Sequence, residues 1–381
     1  MSRSMRSSRR IARAVGTILA AWSVLYVSAL PAAEQGAGTQ ARGSTAAADD
    51  ARADVLSRLP PLITPETDRA IRRGLDFLIQ RQASDGSWSE AGRGPFGAYS
   101  VSMTALSAMS LAASGSTPMR GPFAPHLNRA VTYLLKSQQT NGLICRRGEE
   151  EVRSMYGHGF SMLFLGQMLG MEADPERMAE IRRALARGVE LTGRAQSPLG
   201  GWIYTPDSGG DEGSVTITQV QALRSCRDAG LAVPKRVINE AMGYLDKSIQ
   251  PDGGIAYRVG MAGSRAPITA AAVACWFNAG MYDDPRARRA LNYCKKTVGI
   301  GPGQQGVWGH YFYAHLYLSQ VMYLAGEDEW RDYFPRLRDH LLSVQNEDGS
   351  WDGDSVGQVY GTALALTILQ LPYNYLPIYQ R

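Results

Sequence analysis

From about Thr64 onward the chain alternates between two kinds of apolar patterning. One kind is amphipathic. In DRAIRRGLDFLIQRQ, Ile71, Leu75, Leu78 and Ile79 recur at helical spacing and share one face. Similar stretches open with Pro65, Pro175, Pro234 and Pro285, a residue tolerated in a helix's first turn. Thr64, Asp174 and Asp284 stand before three of them as candidate caps. The other kind is apolar or small nearly all round: VSMTALSAMSLAA, FSMLFLGQMLG, VTITQVQALRSC, ITAAAVACWFNAG, YAHLYLSQVMYLAG and TALALTILQL. A helix without a polar face is buried on every side. The pattern predicts six helical hairpins, each an outer amphipathic helix followed by an inner buried one.

A short motif stands between the two helices of each hairpin. Gln82, Gly86 and Trp88 set the template, and it returns as Gln138, Gly142 and Ile144, then as Gln196, Gly200 and Trp202. Further copies are Gln250, Gly254 and Ala256; Gly306 and Trp308 without the Gln; and Gln345, Gly349 and Trp351. Successive glycines lie 56, 58, 54, 52 and 43 residues apart, which is the period of a repeated structural unit. The Gly supplies a left-handed turn at the end of the outer helix. The Gln amide is suited to the free backbone groups at helix ends. The Trp packs over the turn. The motif therefore reads as a structural joint and not as a catalytic signature.

RGLDFLIQRQASDGSW, with Arg73, Gly74, Phe77, Gln82, Gly86 and Trp88, closely resembles the QW repeat of squalene cyclases. Six such units resemble the α/α toroid shared by terpene cyclases and protein prenyltransferase β subunits. GGWIYTP, SVTITQVQALRSC and LPYNYLPIYQR are also similar to exported prenyltransferase/squalene-oxidase repeat proteins. The resemblance covers roughly residues 64–381. It implies an all-α fold, an α/α toroid of six helical hairpins with inner and outer helix rings around a central cavity. It does not by itself imply cyclisation.

The chemistry of those families is largely missing. Class II terpene cyclases protonate an alkene with an Asp-x-Asp-Asp-Thr acid at the start of an inner helix. When the family's Thr is matched to Thr216, Ser214 occupies the place of the proton donor, and a hydroxyl cannot protonate an alkene. Glu212 remains as a candidate acid, with stabilisation of a helix N-terminus as its alternative role. Prenyltransferase zinc needs three protein ligands. Cys145, Cys226, Cys275 and Cys294 are scattered, and His310 and His315, five apart, fall on different helix faces. No metal and no cofactor is expected. The cysteines are open to either disulfides or buried free thiols. Asp283-Asp284 before Pro285 reads as a helix start.

Aromatic residues gather at the entrances of inner helices. Trp308, His310, Tyr311, Phe312, Tyr313, His315 and Tyr317 fall within ten residues; Tyr156, His158 and Phe160 open another helix, and Tyr360 a third. In the cyclase family such positions line the cavity. The candidate cavity set is therefore Tyr156, His158, Ser214, Thr216, Trp308, His310, Tyr311, Tyr313, His315 and Tyr360. Filling of the core is the competing role for many of them.

The formal charge of +5 changes little. Residues 1–33 carry Arg3, Arg6, Arg9, Arg10 and Arg13 and no acid, so the rest of the chain is near neutral and offers no basic face for nucleic acid. Those arginines, the apolar run AVGTILAAWSVLYVSAL and the small residues after it describe a secretory signal peptide cleaved near Ala33. A retained membrane anchor is the alternative. Residues 34–63 read as a disordered linker. The leading expectation is an exported ring that binds an isoprenoid-like or other extended hydrophobic molecule in an aromatic cavity, with no protein partner identified. A glycan-active enzyme needs paired acids, for which Asp207, Asp211, Glu212, Asp352 and Asp354 are available. A protein-interaction scaffold is the third reading.

Overall fold

The described residues form twelve α-helices: α1 (Pro65–Arg81), α2 (Ser100–Ala113), α3 (Ala124–Lys136), α4 (Ser154–Leu169), α5 (Pro175–Arg194), α6 (Gly213–Asp228), α7 (Lys235–Lys247), α8 (Ala266–Asn278), α9 (Pro285–Thr297), α10 (Tyr311–Ala325), α11 (Glu327–Ser343) and α12 (Gln358–Leu369). The computed structural model describes residues 59–90, 98–301, 303 and 310–380. The expected signal peptide, most of the linker, and Gly306 and Trp308 of the fifth joint lie outside them. At the linker's end, Ile63 is already buried and the carbonyl of Leu62 accepts from Arg338 Nη1 at 2.6 Å, so the packed chain starts a few residues before Thr64.

Local signals start the outer helices. Thr64 Oγ1 accepts from Thr67 N at 3.2 Å, Asp174 from Glu176 N at 2.9 Å and Asp284 from Arg286 N at 2.9 Å, each before a helical proline. The outer helices bury one stripe; in α1 it is Ala70, Ile71, Gly74, Leu75, Phe77 and Leu78. Every residue of the inner helix α2 is buried. The inner helices pack in the order α2, α4, α6, α8, α10, α12 and back to α2, which closes a ring. They run the same way. Tyr156 meets Ser214 near the starts of α4 and α6, while Ser225 Oγ donates to Leu163 O near their ends at 2.9 Å. Gln370 after α12 donates to Ser110 O near the end of α2 at 3.0 Å. Six N-termini thus share one mouth.

The joints pin each hairpin to the next outer helix. The Gln82 amide donates to Gly86 O and His126 O, both at 3.0 Å. Gln138 reaches Gly142 O and Ala184 O, Gln196 reaches Gly200 O and Val237 O, and Gln345 reaches Gly349 O and Ala70 O, all between 2.8 and 3.0 Å. The last of these closes the ring across 275 residues of sequence. Gly86, Gly142, Gly200 and Gly349 all have φ between 89° and 100°, and a Cβ on any of them would collide with a carbonyl of the adjoining outer helix.

The fourth joint differs by one residue from the sequence reading. Gly253, with φ of 91°, makes the left-handed turn, and Ile249 and Ile255 hold the places of the Gln and the Trp. Gln250 and Gly254 are each one position late. The backbone N–H of Gln250 bonds Gly254 O at 2.8 Å, as Ala83 N bonds Ser87 O in the first joint. Two adjacent glycines offered two registers, and the Asp252 carboxylate, accepting from Gly254 N at 2.9 Å, selects the first.

The lower end of the ring axis is filled. Beyond α12 two short 3₁₀ turns, Leu371–Tyr373 and Pro377–Tyr379, carry Ile378 and Tyr379 into its lower end. Ile378 N donates to Gln167 Oε1 at 3.1 Å. Together with Leu106, Met109, Phe160, Leu163, Leu316 and Leu364 these residues leave about 20 Å³ free, room for one water. These residues close the lower end of the expected central cavity. Cys145, Cys226, Cys275 and Cys294 are buried free thiols, with burial pushing the first three up to about 12. No helix among the described residues is long and apolar enough to cross a membrane.

Candidate functional site

Six helix N-termini at one mouth present unsatisfied N–H groups and positive dipole ends, and carboxylates answer four of them. Three act across hairpins. Glu90, before α2, accepts from Tyr360 N of α12 at 2.8 Å. Glu150, before α4, accepts from Val101 N of α2 at 3.0 Å and from Ser102 Oγ at 3.3 Å. Asp354, before α12, accepts from Tyr311 N and Phe312 N of α10 at 3.0 and 3.2 Å. In each case the loop of one hairpin caps the inner helix of the preceding one. Glu212 departs from this rule and caps its own helix, accepting from Val215 N at 2.6 Å and Ser214 N at 3.0 Å. Glu90 and Glu150 were missed in the sequence because their partners lie in another hairpin.

Burial raises Glu150, Asp354 and Glu212. Glu150 is pushed up to about 7 and Asp354 to about 6, against the pull of the N–H groups they accept from. Glu212, fully buried, is also raised by burial, opposed by the bonds from Val215 and Ser214. For Glu150 the folded value lies above the ordinary 4.5, so the native state binds the extra proton between those two pH values and the wild type loses stability as pH rises through that window. Glu150→Gln removes this dependence. The variant should gain on the wild type by about 2–3 kcal/mol between pH 5 and pH 8, read from urea midpoints. A constant difference across that range would contradict it.

Around Glu212 stands a tyrosine network. Ser214 Oγ lies 2.8 and 2.9 Å from its carboxylate oxygens, and the Tyr156 hydroxyl lies 2.6 Å from Ser214 Oγ and 3.3 Å from Glu212 Oε1. The hydroxyls of Tyr204 and Tyr257 bond one another. The Tyr204 ring sits 6.0 Å from that of Tyr156 and 5.1 Å from the Arg153 guanidinium. The Tyr313 hydroxyl donates to Ser214 O at 3.5 Å. Tyr156, Tyr313 and Tyr360 are part-exposed, yet burial raises their phenols well above the ordinary range, as expected of rings lining a concave mouth. At neutral pH they are uncharged hydrogen-bond donors.

The structure thus brings together Tyr156, Ser214, Glu212 and Tyr313, with Tyr360 at the start of α12 on the same rim. Four of the expected cavity residues lie elsewhere, in the wall between the rings. Thr216 Oγ1 accepts from Trp202 N at 3.0 Å, and His158 Nδ1 accepts from Ile144 N at 3.1 Å while its Nε2 meets Thr192 Oγ1 at 3.1 Å. Thr104, Thr269 and Thr362 serve the other joints in the same way. His315 is fully buried between Tyr333 OH at 2.7 Å and Gly299 O at 3.2 Å, and Tyr311 packs between His315 and His340. A helix presents several faces, and residue type alone did not say which face each aromatic or imidazole took. Burial lowers His158 and His315 to about 4, so both are neutral structural groups. His310 is exposed at the N-cap of α10, and Trp308 lies outside the described residues. Among the described residues no three of His, Cys, Asp or Glu come together as a metal site.

The architecture is an α/α toroid. No protein-family model matches the chain, and no curated protein does. Solved structures do. A protein from Actinoplanes is 19% identical with a TM-score of 0.53, over 81% of this chain and 99% of that one. A variant of the type II terpene cyclase MstE from Scytonema, in complex with merosterolic acid A (product), is 15% identical with a TM-score of 0.54, over 81% and 97%. An inactive variant of the α-1,6-mannanase GH76A of Salegentibacter sp. HEL1_6, in complex with α-1,6-mannotriose, is 8% identical with a TM-score of 0.58, over 81% and 99%. At these identities the likeness is one of fold, and the fold carries both terpene and sugar chemistry.

Proposed function

We propose that this ring is a carbohydrate-binding protein that holds an oligosaccharide at the mouth of its inner helices. One observation carries the reading: Tyr156, Ser214, Glu212, Tyr204 and Tyr257 converge there, above an axis whose lower end Ile378 and Tyr379 fill. Phenols, a hydroxyl and a carboxylate suit sugar hydroxyls, and part-exposed tyrosine rings offer faces to sugar C–H groups. The mannotriose named with the mannanase is support by analogy only. Alkene protonation is disfavoured on physical grounds. Ser214 has no acid strength, and burial makes Glu212 a weaker acid, the opposite of what that reaction needs. We also read the chain as exported, on the leader pattern of residues 1–33.

A second reading, an isoprenoid-like ligand on the axis, is favoured by the apolar lining of Phe160, Leu163, Leu316 and Leu364. At the lower end of the axis it requires Ile378 and Tyr379 to leave. The test is calorimetric titration with a panel of neutral oligosaccharides that includes α-1,6-mannotriose, run beside incubation with squalene. Binding of a neutral oligosaccharide, weakened about tenfold or more by Tyr156→Ala, is expected, with no polycyclic product from squalene. No binding across the panel, or squalene products abolished by Glu212→Gln, would overturn the proposal.

A further inference from the structure

The outer flank of the ring carries a second site, separate from the mouth. A groove of about 730 Å³ runs along α3 between the first and second joints. That is within the size range of sites that take small molecules. Four cations line it, Arg129, Lys136, Arg146 and Arg147, against the single carboxylate of Asp85. Asp85 is already engaged. It accepts from Ser87 N and Ser87 Oγ at 3.0 and 2.7 Å and pairs with Arg146 at 3.4 Å.

Of the neighbouring acids, Glu149 and Glu150 are already engaged, and Glu151, which acts electrostatically on the groove-lining Cys145, forms no ion pair among the described residues. Glu149 pairs with Arg146 at 2.9 Å and takes the Ser100 hydroxyl, and Glu150 turns inward to cap α2. Arg129 bonds only uncharged groups, Gln82 and His126. Among the described residues Lys136, Arg147 and the Ser84 hydroxyl have no hydrogen-bond or ion-pair partner, although all three line the groove. Unpaired cations beside amides and hydroxyls, with Tyr133 buried and its hydroxyl donated to Ser100 at 2.7 Å, describe a site for anionic groups on a hydroxyl-rich chain. Nucleic acid fits poorly, because no aromatic face is exposed in the groove for a base to stack on.

We infer that this groove binds an acidic oligosaccharide, one bearing sulfate or carboxylate groups, with Lys136 and Arg147 as its principal charge contacts. The inference does not depend on the mouth reading. The test measures binding of a labelled sulfated hexasaccharide, its desulfated counterpart, a uronate hexamer and a single-stranded oligonucleotide by fluorescence anisotropy. The full chain is compared with the Lys136→Gln/Arg147→Gln double variant and, separately, with Tyr156→Ala. Both side chains are exposed and have no hydrogen-bond or ion-pair partner among the described residues, so the double variant should keep the wild-type melting temperature. The sulfated or uronate chain should bind and weaken with added salt, and any binding of the desulfated chain should be weaker, insensitive to the double variant and reduced by Tyr156→Ala, as expected of the mouth. The double variant should weaken binding roughly tenfold, and Tyr156→Ala should leave it unchanged. Absence of binding by both acidic chains, equal binding by the double variant, or tighter binding of the oligonucleotide overturns the inference.

Discussion

Trp351→Ala is expected to lower folding stability by about 3–5 kcal/mol, because it removes a fully buried indole from the seam where the last hairpin meets the first. The indole Nε1 donates to Leu341 O at 2.7 Å and the backbone N–H donates to Thr362 Oγ1 at 3.0 Å, so this one residue ties α11 to α12. It also packs on α1. A Cβ added to Gly74 would sit 2.7 Å from the indole Cζ3, which shows how closely the ring lies on that helix. Alanine would empty the volume and leave the Leu341 carbonyl with only the longer bond from Val344 N, at 3.3 Å. Trp351→Phe keeps most of the packing and should cost less than half as much. The same seam is held by Gln345 on Ala70 O at 2.9 Å and Arg73 on Asn346 O at 2.7 Å, so a structure remains for the loss to be measured against. Urea denaturation of both variants checks the ordering. An unchanged midpoint for Trp351→Ala would mean that the first and last hairpins are not joined through this residue.

What the sequence disclosed follows from how local each cause is. Helix stripes, prolines and caps act within one turn, and all three capped starts at Thr64, Asp174 and Asp284 are where the pattern indicated. The joint was legible as a repeat, but the Gln did not fix every register. An Asp or Asn directly before the turning glycine, at Asp85, Asn141, Asp252 and Asp348, accepts from a backbone N–H two residues on. That pair would have given the fourth joint its register where Gln250 misled. The mouth was only partly legible. Glu212 and Ser214 stand two residues apart, whereas Glu90 reaches Tyr360 across 270 residues, which depends on the ring being closed. The filled axis was hidden for the same reason. Nothing local in LPIYQR says that Ile378 and Tyr379 turn inward.

Tyr379→Ala therefore tests the least local feature of the fold. Tyr379 and Ile378 are buried at 7% and 1% exposure, and burial raises the Tyr379 phenol above its ordinary range. They press against Met109, Leu163 and Leu316, from three different inner helices. Removing the phenol should cost about 3–5 kcal/mol, as for other large buried rings. It should also leave an apolar void at the lower end of the axis. The polar residues in its lining, Gln221, Gln320 and Thr367, are already bonded to Asn278, Leu316 O and Ala363 O, so the void should stay dry and accept a small aromatic molecule. Benzene should accordingly raise the melting temperature of Tyr379→Ala and leave that of the wild type unchanged. If the void connects upward past Phe160 and Leu364, a squalene-like chain should bind the variant as well, which would revive the axial reading for a state in which this segment withdraws. Stabilisation by benzene alone would confine the ligand site to the mouth. A variant as stable as the wild type and indifferent to benzene would mean that the segment does not fill the axis, and the case against an axial ligand would fall with it.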